Sequence, residues 1–246
     1  MASREYHRVI SMPLHSDMPH WNLEGHVPRR VFDTVCALAG LAFLIPLFAL
    51  IALAIKLDDG GPVLYFQSRV GKGLRMFRLL KFRSMFSNCS GGSLLTALHD
   101  ARVTRVGRFL RRYKLDELPQ LVNVLKGEMQ LVGVRPQVER FVKVFPHEYE
   151  ELLQTPPGIT DLASLSFRNE ERLFQESFIE EHYIAKILPF KLELSLNYSR
   201  TRTFLSDLEI LFRTVLGFPS PSSGWRNTGS EASTQSISKF FSKNLT

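Results

Sequence analysis

The chain has 246 residues, 44% apolar, 22% charged and 11% aromatic, with a formal net charge of +7. Such averages describe an ordinary globular protein of one large or two small domains, and they exclude collagen-like, disulfide-scaffold and wholly disordered classes. They conceal a segregation: residues 31–55 hold one acid and no base, residues 56–145 carry 17 Lys and Arg against 7 Asp and Glu, and residues 146–246 carry 10 bases against 13 acids. An anionic partner therefore belongs to the middle of the chain. With two cysteines, Cys36 and Cys89, a reducing compartment is the simplest reading.

Residues 1–28 are poorly patterned and read as a flexible extension. The run 31–55, VFDTVCALAGLAFLIPLFALIALAI, then stays apolar on every face. A helix of about 22 residues rises about 33 Å, enough for a hydrocarbon core of about 30 Å. No A-x-A cleavage site follows, so this is a membrane segment and not a secretory signal. Pro46 lies near its middle and removes one backbone hydrogen bond, which kinks a helix. Arg29 and Arg30 precede the run and Lys56 follows it, so it lacks the charge asymmetry of a crossing helix. Two topologies fit: a helix bent at Pro46 that enters and leaves by one face, and a kinked helix that crosses.

The stretches PVLYFQSR and LRMFRLLKF flank Val70-Gly71-Lys72-Gly73, which predicts a β-hairpin with a plain turn. Bases recur at Arg69, Lys72, Arg75, Arg78, Lys81 and Arg83; beside a membrane segment, an anionic lipid surface or a phosphate ligand competes with the solvated-face reading. Residues 87–99 read as a loop. Thr104 can cap a helix with Val106, Phe109, Leu110 and Tyr113 on one face and Arg105, Arg108, Arg111 and Arg112 largely on the other, a pattern that suits a membrane interface. The spacing of Leu118, Leu121, Val122 and Leu125 predicts a second helix, with Pro119 in its first turn and Lys126-Gly127 as its stop. Asp116 and Glu117 then fall at its N-terminus, where the helix dipole alone accounts for carboxylates. Their setting suggests more: arginines precede them and Gly133-Val134-Arg135-Pro136 follows. Carboxylates with cations for phosphate oxygens are the components of phosphoryl chemistry.

Residues 137–154 and 169–200 have helical patterns separated by the breaker Pro156-Pro157-Gly158. His147, Tyr149 and His182 read as non-catalytic residues of mixed helices. Phe204, Leu208, Leu211, Phe212 and Val215 predict a closing amphipathic helix, for core packing or interfacial anchoring. From residue 219 onward, 8 of 28 residues are serine, the composition of a disordered tail. Neither an internal repeat nor a nucleic-acid-binding motif is present.

Four segments together resemble the bacterial sugar transferase family: the apolar run ending LDDGGPVLYFQSRVGKG; FRLLKFRSM; RVTRVGRFLRRYKLDELPQLVNVLKGEMQLVGVRPQ; and PPGITDLASLSFRNEE. The family comprises monotopic polyprenyl-phosphate sugar-1-phosphate transferases of surface polysaccharide and glycoprotein glycan assembly, and the likeness covers roughly residues 29–216. The resemblance implies an α+β, mainly helical fold, with a re-entrant membrane helix bent at Pro46, interfacial amphipathic helices and a small β-hairpin around a cytosolic active site. The expected layout is an extension (1–28), the membrane helix (29–56), a catalytic domain (57–217) and a tail (218–246).

By the same resemblance Asp116 attacks the sugar-bearing phosphate of a UDP-sugar and releases UMP, and polyprenyl phosphate then displaces the phosphosugar from the carboxylate. Glu117 assists proton transfer or helps Asp116 to hold Mg2+, and Lys81, Arg111 and Arg135 bind phosphate. The implied partners are the UDP-sugar, polyprenyl (undecaprenyl) phosphate, membrane lipid, a second copy in a homodimer and downstream glycosyltransferases, without nucleic acid. The implied location is the cytoplasmic face of a bacterial inner membrane. Two departures stand out: Ile45-Pro46 replaces the common Ser-Pro, and Val134 replaces proline in the usual Gly-Pro-Arg-Pro, a change that activity is expected to survive. The alternative function is a non-catalytic scaffold whose basic block binds anionic lipid.

Overall fold

The computed structural model describes residues 26–86, 95–96, 100–168 and 179–218. The expected extension up to residue 25, most of the 87–99 loop with Cys89, and the Ser-rich tail from residue 219 lie outside the described residues.

Helix α1, His26–Asp59, continues through Pro46 without a break in its helical assignment. Within Pro28–Asp59 the most apolar 18-residue window has a mean hydropathy of 2.7, and by length and composition the helix can cross a bilayer. Phe43 is 84% exposed and Leu50 64%. The side chains that α1 packs inward fall into two groups, one in each half of the helix. Near the N-terminus Phe32, Cys36 and Ala37 pack with Leu79, Val124, Met129 and Leu131. Near the C-terminus Leu47, Phe48, Ile51 and Ile55 pack with Phe82 and Leu110.

Strands β1 (Leu64–Val70) and β2 (Met76–Phe82) form the expected antiparallel hairpin, with Tyr65 opposite Lys81 and Arg69 opposite Phe77. Alternation along a strand sends every second side chain to one face. Tyr65, Gln67 and Arg69 thus share the face of Lys81.

Helix α2, Arg105–Arg112, is capped as expected, Gly107 N–H donating to Thr104 Oγ1 at 2.9 Å. The predicted apolar face divides. Leu110 is buried against α1, with Val106 beside it, while Phe109 and Tyr113 are 56% and 55% exposed. A Cβ at Gly107 would lie 2.0 Å from the Ser84 carbonyl oxygen, so a side chain here would push α2 off the segment that follows β2.

A 3-10 turn, Leu115–Glu117, entered through the left-handed Lys114 (φ 57°), precedes α3, Gln120–Lys126, which ends at left-handed Gly127. Asp116 and Glu117, expected at the N-terminus of the second helix, lie in the 3-10 turn that leads into it. The face of α3 turned inward is also not the predicted leucine stripe. Gln120, Asn123 and Val124 are buried, and Leu121 and Leu125 are half-buried. Asn123 explains the rotation. Its Oδ1 accepts from Leu80 N–H at 3.0 Å, and its Nδ2 donates to the Arg78 carbonyl at 2.8 Å and to Glu128 Oε2 at 2.7 Å. A buried amide so satisfied fastens α3 to β2.

Strand β3, Gln130–Val132, pairs in parallel with β4, Gly158–Thr160. Neither was expected, because three-residue strands are too short to show a period, and Gly158 had been read as part of a breaker. A Cβ at Gly158 would lie 2.1 Å from Gly133 N, so this close crossing just ahead of Arg135 requires a bare backbone.

The short helices α4 (Glu139–Val142), α5 (Pro146–Leu152) and α6 (Leu162–Ser166) pack beside a longer helical stretch. That stretch is α7 (Ile179–His182), a π-helical turn (Tyr183–Ile187) and α8 (Leu188–Thr201). Their core contains Phe141, Tyr149, Leu153, Tyr183 and Ile187; Tyr149 is a core residue, and His147 is exposed. The closing helix α9, Phe204–Leu216, has a Thr203/Ser206 capping box. It buries Asp207 and Ile210 and leaves Leu205, Phe212 and Val215 at 75%, 60% and 81% exposure, so most of its predicted stripe faces outward.

Candidate active site

The chain between Lys114 and Leu118 turns tightly enough that neighbouring acids point to different surroundings. Asp116 is 6% exposed, and its Oδ1 has no hydrogen-bond partner among the described residues. Glu117 is held on both oxygens. Lys81 Nζ of β2 donates to Oε1 at 3.0 Å, Arg135 NH1 donates to Oε2 at 3.1 Å, and Arg135 NH2 donates to Oε1. Three separated segments therefore meet at one carboxylate: β2, the 3-10 turn and the loop after β3. Arg135 also donates to the Ile159 carbonyl of β4 at 3.4 Å, so the unexpected parallel pair helps to aim it.

The electrostatics push the two acids apart. Burial raises Asp116, the neighbouring Glu117 charge raises it further, and Lys81, Arg111 and Lys114 oppose both. Burial also acts to raise Glu117, but the charges of Arg135 and Lys81, with the hydrogen bonds from Arg135, outweigh it and hold Glu117 well below the usual carboxylate range. Glu117 is thus a fixed anion with little affinity for a proton at neutral pH. Asp116 precedes α3, and burial works against its charged form. Burial likewise lowers Lys81, with Glu117 opposing.

Of the residues singled out in the sequence, Lys81, Asp116, Glu117 and Arg135 come together, and Arg111, from the last turn of α2, exerts its charge on Asp116. Pro46 belongs to the exposed apolar length of α1. The sequence reading passed over Asn123, which orients the scaffold behind the site, and named Arg69 only as one of the recurring bases of the hairpin. Arg69 enters from β1, with its Nε and NH2 donating to Gln67 Oε1 at 3.2 and 2.7 Å and its NH1 donating to the Pro136 carbonyl at 3.3 Å. Burial and the neighbouring Arg135 lower its pKa to about 10. The alternation of the predicted hairpin was the available signal, since it groups Arg69 with Lys81.

No group of three or more metal-ligating side chains is present among the described residues. A lone carboxylate oxygen without a partner still suits a divalent ion that keeps most of its shell as water and substrate phosphate. Asp116 fits that description, whereas the oxygens of Glu117 are already engaged.

Comparison with known proteins gives the family context. A profile described as bacterial sugar transferase matches residues 25–219. The exopolysaccharide production protein ExoY of Sinorhizobium fredii is 34% identical over 209 residues, covering 78% of this chain and 85% of that protein. The UDP-glucose:undecaprenyl-phosphate glucose-1-phosphate transferase of Caulobacter vibrioides is 38% identical over 192 residues, covering 76% and 68%. The undecaprenyl-phosphate glucose phosphotransferase of Komagataeibacter xylinus is 36% identical over 206 residues, covering 80% of this chain but 36% of its own length. This chain thus spans about a third of that longer relative.

Proposed function

The chain belongs to the bacterial sugar transferase family, and from that premise we propose that it transfers a sugar-1-phosphate from a UDP-sugar to undecaprenyl phosphate, an early membrane step of exopolysaccharide assembly. The observation that carries the proposal is the pairing of a buried Asp116, one oxygen unpartnered, with a Glu117 clamped by Lys81 and Arg135. A carboxylate oxygen of Asp116 attacks the sugar-bearing phosphorus. The bond to the bridging oxygen breaks, and its electron pair leaves on UMP. A phosphate oxygen of the lipid then attacks the same phosphorus, the acyl phosphate bond breaks, and the carboxylate returns to its first state. Glu117 keeps Lys81 and Arg135 aimed at phosphate oxygens, and Arg111 holds phosphate from the α2 side. Asp116 would hold Mg2+, which when bound offsets diphosphate charge.

The membrane topology is part of the same reading, and the two ends of α1 support the re-entrant form. Arg30 donates to the Val124 and Leu125 carbonyls at 2.5 and 2.9 Å, and Arg29 pairs with Asp207 at 3.2 Å. At the other end Asp58 accepts from Val106 N–H at 3.1 Å, and Asp59 pairs with Arg83. A helix whose ends both bond to one polar body has both ends on one side of a bilayer. The active site would then face the cytoplasm, where nucleotide sugars are found. The comparisons lend nothing to the non-catalytic scaffold.

The test is release of UMP by purified protein given UDP-sugar, undecaprenyl phosphate and Mg2+. Asp116→Asn should abolish it, and undiminished release from that variant would refute the assigned nucleophile. A panel of UDP-sugars in the same assay identifies the sugar.

A further inference from the structure

The guanidinium of Arg69 is half-buried and, among the described residues, donates to neutral acceptors alone. Three of its five N–H groups are engaged, two by the single oxygen Gln67 Oε1 and one by the Pro136 carbonyl at 3.3 Å. Among the described residues no carboxylate pairs with it: its anionic neighbour Glu117 is already held by Arg135 and Lys81, and Arg135 itself repels it. Half-burying a guanidinium without a counter-ion is costly, and placing a second beside it adds to the cost. Arg69, Arg135 and Lys191 line one pocket, the Lys191 ammonium lying over the rings of Tyr183 and Phe167. A cavity lined by three cations is the complement of a multiply charged anion.

We propose that Arg69 and Arg135 form a phosphate subsite on the Glu117 side of Asp116, and that this subsite holds the phosphate of the departing nucleoside monophosphate. The proposal rests on the transferase reading above and assigns a residue to one half of it. Two phosphates meet at Asp116, and the packing separates their approaches. Arg111 stands on α2, which shares a buried cluster with α1, the apolar helix. The Arg69 pocket is walled by Val138, Phe141 and Tyr183, from a cluster to which α1 contributes nothing. The lipid phosphate therefore belongs to the Arg111 side and the water-soluble nucleotide to the Arg69 side. As the bond to the nucleotide breaks, charge grows on its phosphate, and a guanidinium lacking an anion of its own is placed to receive it.

The experiment uses the full chain in detergent, with Arg69→Gln and Arg69→Lys, and UMP as the probe. UMP affinity is measured by calorimetry, and the KM values for UDP-sugar and for undecaprenyl phosphate are measured separately. We expect Arg69→Gln to weaken UMP about ten- to a hundredfold and to raise the UDP-sugar KM while leaving the lipid KM unchanged, with Arg69→Lys in between. Equal UMP affinity in Arg69→Gln and the parent overturns the subsite. So does a parallel loss for nucleotide and lipid accompanied by a lower melting temperature, which would mark Arg69 as a prop for the Pro136 loop. If UMP binding depends on Arg69 while no UDP-sugar yields UMP, the subsite stands and the transferase reading falls.

Discussion

Arg135 holds both carboxylate oxygens of Glu117, eighteen residues before it, with the NH1 to Oε2 bond at 3.1 Å. The pair forms only because β3 and β4 bring the Gly133-Val134-Arg135-Pro136 loop back to the 3-10 turn. The departure from a Gly-Pro-Arg-Pro element leaves the arginine's aim intact, because backbone pairing on either side of the loop sets it.

The cycle Glu117→Gln, Arg135→Gln and the double variant should show coupling of about 1–3 kcal/mol in thermal unfolding. Glu117→Gln removes the anion that Arg135 and Lys81 share, and Arg135→Gln removes one of the two cations on Glu117. Additive effects would mean that the pair contributes nothing beyond its separate members.

Asn123→Ala should lower stability by about 2–3 kcal/mol, because it strands the Leu80 N–H and the Arg78 carbonyl in the interior. UMP release should fall with it, since β2 carries Lys81 to the site. Asn123→Asp should be little better, as it loses the donor to Arg78. Unchanged melting in Asn123→Ala would rule out the anchoring role.

Gly107→Ala should destabilise by about 1–3 kcal/mol through overpacking, since the added carbon meets the backbone of Ser84 and not a movable side chain. Chemical denaturation in detergent measures this. A neutral result would show that α2 can lift away from the hairpin without cost.

With Cys36 and Cys89 replaced by serine, single cysteines at Pro28 and Pro62, both exposed, should be labelled by a membrane-impermeant maleimide from the cytoplasmic side alone. Labelling of the two from opposite sides would establish a crossing helix and remove the re-entrant reading.

Leu205→Asp and Phe212→Asp should weaken vesicle flotation of the full chain without lowering its melting temperature, because both side chains are largely exposed on α9. Such a face suits burial in a headgroup boundary. Unaltered flotation would leave membrane binding to α1 and α2.

Much of this architecture was legible because it is local. The hairpin declared itself by alternation, α2 by its Thr104 cap, and α1 by twenty-five residues almost free of charge. The chemistry-bearing residues, Lys81, Asp116, Glu117 and Arg135, stood out by their type and by the motif around them.

The parallel strands were hidden because three residues show no period, and the inward face of α3 was hidden because a satisfied amide, not a leucine, fixes its rotation. The sequence by itself determined which side chains are available and which segments prefer lipid. Only the tertiary structure decided that Glu117 receives its counter-ions from segments 36 and 18 residues away, that Asp116 keeps an oxygen free, and that both ends of α1 return to one body. Burial, ion pairing and desolvation depend on distances between residues far apart in the chain, and no local pattern carries those distances.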